Sequence, residues 1–228
     1  MPVLTDWSLM IDADAVLRGQ GANPDVIRTR SPRFLQSAER AISEARSLLR
    51  PKVLYQRLPV VEVRHEQIRL KDGGRLQGPL LAEHLVGAHD VIAVICTIGD
   101  ALEMYSSKVS RNDTVQGLAL DGAGSAAVEA LANAFCAYSE SQTRQVGEHS
   151  SIPLSPGMIG WPVEQGQPQM FKILDSSEIG VQLSSSMMMT PRKSLSFVIG
   201  LGERMDTSAR TCDFCSLKET CRYQDHYA

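Results

Sequence analysis

Aromatic residues are scarce in this 228-residue chain, at 5%, which excludes the stacking platforms that hold single-stranded nucleic acids. Excess charge of one sign is missing too. The 23 basic and 26 acidic residues leave a formal net charge of -3, so a nucleic-acid partner held by bulk electrostatics is excluded. The longest apolar run covers only residues 91–96, far short of the roughly 18 residues a membrane span requires. The opening MPVLTDWSLMIDAD is acidic where a signal peptide is basic; the expected location is cytoplasmic, with no membrane partner. Five cysteines are too few for a disulfide scaffold. Histidines 65, 84, 89, 149 and 226 lack the spacing of a catalytic or metal pair. No Ser/His/Asp or Cys/His order stands out, so a hydrolase is unsupported.

What is present fits a globular chain: 43% hydrophobic and 21% charged residues. Residues 8–50 read as helical, broken at Gly19-Gln20-Gly21 and restarting at Ser31-Pro32, with Leu35, Ala38, Ala41, Ile42, Ala45, Leu48 and Leu49 on one face. Alternating β-branched residues over 53–70 predict one or two strands, followed by turn chemistry at Lys71-Asp-Gly-Gly-Arg75. A short helix is expected over 79–85, a buried strand over 90–96 and a helix over 101–109. Small residues over 118–136 predict a long helix running to 145; they allow either tight helix packing or the approach of a flat ligand. The Gly- and Pro-rich stretch 147–166 reads as a loop and plausible ligand wall, then come a short helix near 168–174 and strands near 181–183 and 194–201. Met187, Met188 and Met189 read as core filling, with Met188 facing away from its neighbours. Asp121-Gly-Ala-Gly-Ser lacks the third glycine of a dinucleotide fingerprint.

Composition changes after residue 202, so the expected division is an α+β domain over 1–202 and a cysteine-rich tail over 203–228. In the tail, Cys212, Cys215 and Cys221 follow a C-x2-C-x5-C spacing that recurs in zinc and iron–sulfur sites. Lys218, Arg222 and Arg210 favour the thiolate form. The spacing does not choose between the two metals; His226 would complete a zinc site, and three free thiols on a tail remain the alternative.

Ser155-Pro-Gly-Met-Ile-Gly-Trp161, Phe171-Lys-Ile-Leu174 and Leu183-Ser-Ser-Ser-Met-Met-Met-Thr-Pro-Arg-Lys-Ser194 resemble the activation domain of cobalamin-dependent methionine synthase, and more closely the free-standing proteins of that family ending in a cysteine cluster. Thr97-x-Gly99, Leu120-Asp-Gly-Ala-Gly-Ser125 and Glu129-Ala-Leu-Ala132 fit the same pattern, so the resemblance covers roughly residues 75–225. It implies an α+β domain that binds S-adenosylmethionine and serves a corrinoid-dependent methyltransferase whose cobalamin has slipped to Co(II), with an electron donor protein supplying one electron. Coupling the uphill reduction to an irreversible methyl transfer draws it forward.

Carried over residue by residue, the resemblance implies ligand contacts at Ser155, Pro156, Gly157, Met158, Trp161 and Asn133. Two positions depart from the family pattern. Pro153 stands where the family's loop has an Arg for the ligand carboxylate, and Asn133 where its helix has a Glu. Arg192 and Lys193 are the cations available in compensation. The resemblance favours an iron–sulfur cluster at the cysteines, because low-potential electrons are needed near cobalt. The competing expectation is a non-catalytic binding or electron-transfer module acting through the cysteine tail.

Overall fold

The apolar run at 91–96 lies in a strand that serves two cores. β5 (Asp90–Thr97) is buried from Val91 onward. Alternation with period two sends Ile92, Val94 and Cys96 into one hydrophobic cluster and Val91, Ala93 and Ile95 into the other. A strand apolar on both faces must have its ladder filled on both edges as well, and it does. β2 (Lys52–Arg64) and β9 (Ser194–Gly202) flank it antiparallel, with Val94 opposite both Tyr55 and Phe197.

The computed structural model describes residues 1–206 and 209–221; His226 and Arg222 lie outside the described residues. The sheet continues past β2 through β3 (Gln67–Leu70) and β4 (Arg75–Gln77), and past β9 to β6 (His149–Ser150). β1 (Val3–Leu4) pairs with the start of β2, and a bulge between Val60 and Glu62 bends β2 where β3 takes over. β7 (Gln182–Leu183) and β8 (Met189–Thr190) form a separate small pair. The architecture is α+β, an antiparallel sheet with helices on both faces.

One face carries α1 (Ala13–Gly19), α2 (Pro24–Arg30), α3 (Pro32–Ala45), α5 (Ala101–Val109) and α6 (Thr114–Gln145). The other carries α4 (Pro79–Leu85) and α7 (Val163–Ile173). Helix starts follow local chemistry. Asp12 accepts from Ala15 N at 2.7 Å, Asn23 from Asp25 N at 2.9 Å and Asp113 from Gln116 N at 3.0 Å, while Pro24, Pro32 and Pro79 occupy first turns where no N–H is needed.

The helices expected over 79–85 and 101–109 have those limits, and the long helix ends at Gln145 as read. The strands expected over 53–70 are β2 and β3, which turn at His65-Glu66, and the turn expected at 71–75 leads into β4. Three expectations need correction: the start of the first helix, the start of α7 and the packing of the methionines. The first helix begins at Ala13, since Trp7, Leu9 and Ile11 pack on the core from an irregular segment. α7 starts at Val163, five residues before Pro168, which sits inside it. Of the three methionines, Met188 is exposed as alternation required, but only Met189 packs against the core, while Met187 sits at φ 62°.

The small residues of α6 pack helix on helix. A Cβ added at Gly19 would lie 2.5 Å from Gly122 O, and one added at Gly122 would lie 2.6 Å from Val16 O, so α1 and α6 touch backbone to backbone. Asp121-Gly-Ala-Gly-Ser125 therefore lies within a helix and not at a strand-to-helix phosphate turn. Gly19→Ala is expected to lower stability by about 1–3 kcal/mol through overpacking, read as a lower urea midpoint; an unchanged midpoint would show that α1 can move aside.

Candidate functional site

The Pro-Gly loop over 151–162 runs from β6 to α7 along the free edge of β9, where Leu154 and Val198 exchange backbone hydrogen bonds at 2.9 Å. Gly157 (φ 103°) and Gly160 (φ 88°) make the two bends that an L side chain rarely adopts. Between them Met158 and Trp161 turn inward. Trp161 is 0% exposed, and its Nε1 donates to Gln169 Oε1 at 3.3 Å; the same oxygen accepts from Gln77 N at 2.9 Å. Added Cβ atoms at Gly78 and Gly166 would meet the indole at 3.1 and 2.9 Å, so both glycines make room for it. Met158 and Trp161 thus anchor the loop in the core, whereas Ser155, Pro156 and Gly157 are half-exposed.

The cysteine segment is docked on this loop. Ile159 N donates to Phe214 O at 2.8 Å, Met158 and Cys215 form a β-bridge, and Ser216 Oγ donates to Gly157 O at 2.9 Å. The Phe214 ring stands edge-on to His84 of α4 at 4.5 Å. Lys218 holds the Asp213 carboxyl below its ordinary range through a 3.0 Å contact. Cys212, Cys215 and Cys221 are half-buried and in no disulfide, and among the described residues no three His, Cys, Asp or Glu side chains gather as a metal site. The described residues give no support to the expected zinc or iron–sulfur site, and His226 lies outside them. The contacts that hold the segment here are backbone bonds to the loop and the ring contact of Phe214 with His84.

Asn133 stands exposed on α6, in the layer across the sheet from Met158 and Trp161. The fold does not bring it together with those two residues. It lines a different hollow, a cleft of about 400 Å³ between the N-terminal segment and α6, with Met10, Arg18, Ala126, Glu129 and Ala130. A larger open hollow of about 730 Å³ lies on the β2–β3–β4 end, among Arg64, Arg69 and Arg75 interleaved with Glu62 and Glu66. None of the candidate site residues lines it.

Arg192 and Lys193 are committed elsewhere. Arg192 pairs with Glu103 of α5 through both its side chain and its backbone N–H. Lys193 Nζ lies 3.0 Å from Asp121 and 2.9 Å from Ser125 Oγ, its stem lying over Gly124. Neither replaces the missing loop arginine. Thr97-x-Gly99 is a turn device: Thr97 Oγ1 accepts from Gly99 N at 3.1 Å and from Ser194 Oγ at 2.9 Å. Cys96 is buried and Cys136 nearly so; burial pushes both thiols up, Cys136 to about 12, which suits inert core positions.

No known family model matches the sequence, and no curated protein matches it. Among solved structures the chain is similar to the MetH reactivation domain bound to AdoHcy, with a TM-score of 0.66 and 13% identity over 92% of this chain and 81% of that one. The likeness is one of fold. At that identity it places strands and helices, and leaves each site residue to be judged from its own surroundings.

Glu129 is the functional candidate that reading the sequence missed. Burial alone raises its carboxyl to about 7. Its signal in the sequence is its isolation, as the one charged residue between Asp121 and Glu140.

Two expectations follow from this geometry. Removing residues 209–228 should speed amide hydrogen exchange at 157–160, because Ile159 N loses its partner, whereas serine at all three tail cysteines should leave it slow; equal exchange in both variants would refute the docking. Glu129 is raised from its ordinary value, so its neutral form favours the fold below about pH 4.5 and that stability is lost as pH rises to about 7. Glu129→Gln should therefore gain stability over wild type between pH 5 and pH 8, by at most about 3 kcal/mol. A pH-independent difference in thermal midpoint would contradict it.

Proposed function

We propose that the chain is an accessory protein that binds S-adenosylmethionine or a related adenosyl ligand and supports reductive reactivation of a corrinoid-dependent methyltransferase such as methionine synthase. The observation that carries this reading is the likeness of fold, over 92% of the chain, to a domain solved with AdoHcy bound. The Pro-Gly loop resemblance supports it independently, since Gly157 and Gly160 hold that loop in a bent form. Ser155, Pro156 and Gly157 are the loop residues left to meet a ligand, with Met158 and Trp161 holding them in place. When bound, S-adenosylmethionine supplies a methyl group activated by its sulfonium. The chain's own contribution is to bind and orient the ligand toward the partner's cobalamin.

In this reading the cysteine segment is a mechanical clasp. It takes up Gly157 O and Ile159 N and so fixes the loop from its outer side. An electron donor, if one takes part, is a separate protein.

Calorimetric titration with S-adenosylmethionine and S-adenosylhomocysteine is expected to give dissociation constants between micromolar and millimolar, about -8 to -4 kcal/mol. Pro153→Arg should tighten binding by adding a charge-assisted contact to the ligand carboxylate. The chain should also associate more tightly with a corrinoid methyltransferase in the Co(II) state than in the methylated state, as only differential affinity can shift that equilibrium. No heat at millimolar ligand would overturn the adenosyl reading; equal affinity for both cobalt states would overturn the reactivation role.

A further inference from the structure

The cleft between the N-terminal segment and α6 holds two charges of opposite sign that the fold leaves unmatched. Among the described residues the side chains of Glu129 and Arg18 make no hydrogen bond or ion pair, with each other or with any other group. Both are half-buried. Unpaired charges this far out of water are costly, and most of the other half-buried charged side chains have found partners, as Asp90 and Glu148 have in Arg57, and Lys193 in Asp121.

The walls add a second constraint. Ala126, Ala130 and Ala134 leave one side of α6 without bulk, so the cleft keeps its depth, and Ile11 and Met10 supply an apolar opposite wall. Met10 is 91% exposed, an unusual position for a large apolar side chain with nothing over it. Asn133 brings an amide that can both donate and accept. At about 400 Å³ the cleft lies at the small end of the range for ligand sites, about 300–1,000 Å³.

We infer that this cleft is a binding site for a zwitterionic α-amino acid group, its ammonium against Glu129, its carboxylate against Arg18 and its aliphatic chain along Met10, Ile11 and Ala130. A ligand that bridges a carboxylate and a guanidinium too far apart to pair must carry both charges a few ångströms apart, which is what an α-amino acid offers. A simple cation would leave Arg18 unmatched, and a simple anion would leave Glu129 buried and uncompensated. The group can belong to a free amino acid or form one end of a larger molecule. In the first case the site stands alone; in the second it rests on the adenosyl reading and moves that ligand's amino acid end from the Pro-Gly loop to the cleft, so that Pro153→Arg would then leave binding unchanged.

Ligand-detected and amide-shift NMR on the full chain separates these cases. L-methionine is expected to shift the amides of Ala126, Ala130, Asn133 and Ala134 at millimolar concentration. Its methyl ester, without the carboxylate, and 3-methylthiopropionate, without the ammonium, should each bind at least about tenfold more weakly, the loss of one charge-assisted contact. Glu129→Gln and Arg18→Met should weaken L-methionine by a similar factor, while a melting curve checks that each variant is folded. If S-adenosylhomocysteine binds in the same place, both variants weaken it too and leave 5′-methylthioadenosine, which lacks the amino acid end, unchanged. L-methionine binding in the cleft with no binding of adenosyl ligands would support the site and overturn the adenosyl reading. Adenosyl binding unaffected by either variant, with no cleft shifts from L-methionine, would overturn the site alone. Equal binding of methionine and its two truncated analogues would overturn it as well, because charge would then play no part.

Discussion

The fold depends on one strand being buried on both faces. β5 has no solvent side: even-numbered residues from Ile92 to Cys96 meet the helical layer of α1, α3, α5 and α6, and odd-numbered residues from Val91 to Ile95 meet α4, α7 and the Pro-Gly loop. Its ladder is closed by β2 on one side and β9 on the other over the same eight residues. Burying a large aliphatic side chain contributes roughly 1.5–3 kcal/mol, so a polar substitution anywhere in this run would strike one core or the other without a free face to absorb it. Each layer is held in place through this strand, and hence each candidate site keeps its distance from the other.

That constraint explains why the loop and the cleft are separate features. The loop hangs from the β9 edge and is pinned by Trp161, for which Gly78 and Gly166 clear space from two other elements. The cleft exists because α1 and α6 come together at Gly19 and Gly122, while Ala126, Ala130 and Ala134 keep one wall of α6 low further along. Backbone contact at one end of a helix pair, with small side chains at the other, leaves a wedge between α6 and the irregular segment at 8–11. The same run of small residues therefore does two things in sequence order, close packing at Gly117–Gly124 and an open groove from Ala126 to Ala134.

Much of this was legible before any coordinates. Continuous hydrophobicity marked β5, helical spacing marked α3, and intrinsic propensity marked α6, because in each case the signal is local and the periodicity strong. The start of α7 was not, as Pro162, Gly166 and Pro168 read as loop chemistry while burial of Gly166 and Met170 against Trp161 and the second core decides for helix. Nor could spacing reveal that Arg192 and Lys193 answer Glu103 and Asp121, residues some 70–90 positions away. The cysteine spacing is the sharpest case. C-x2-C-x5-C is a local pattern that a metal site would explain, and it gives no sign of the long-range contact between Phe214 and His84 or of the backbone bridge to Met158. A motif records which ligands are close in sequence and nothing about what else the backbone between them is bonded to.

The charges tell most about function because they are least explained by folding. A helix with Ala126, Ala130 and Ala132 beside position 129 would be more stable with an amide or an alanine there, since burial of the carboxylate is uncompensated and pushes it up to about 7. The neighbouring solution on the same helix shows the alternative: Asp121, also on α6, is matched by Lys193 from β9's approach. Two carboxylates two turns apart thus differ in the presence of a cation within the chain and in exposure, the Asp121 side chain being 41% exposed and Glu129 the more buried. Where the chain supplies none, and a cleft lies in front of the group with an unmatched guanidinium at its other side, the compensating charge has to come from outside, and it must bring an anion with it.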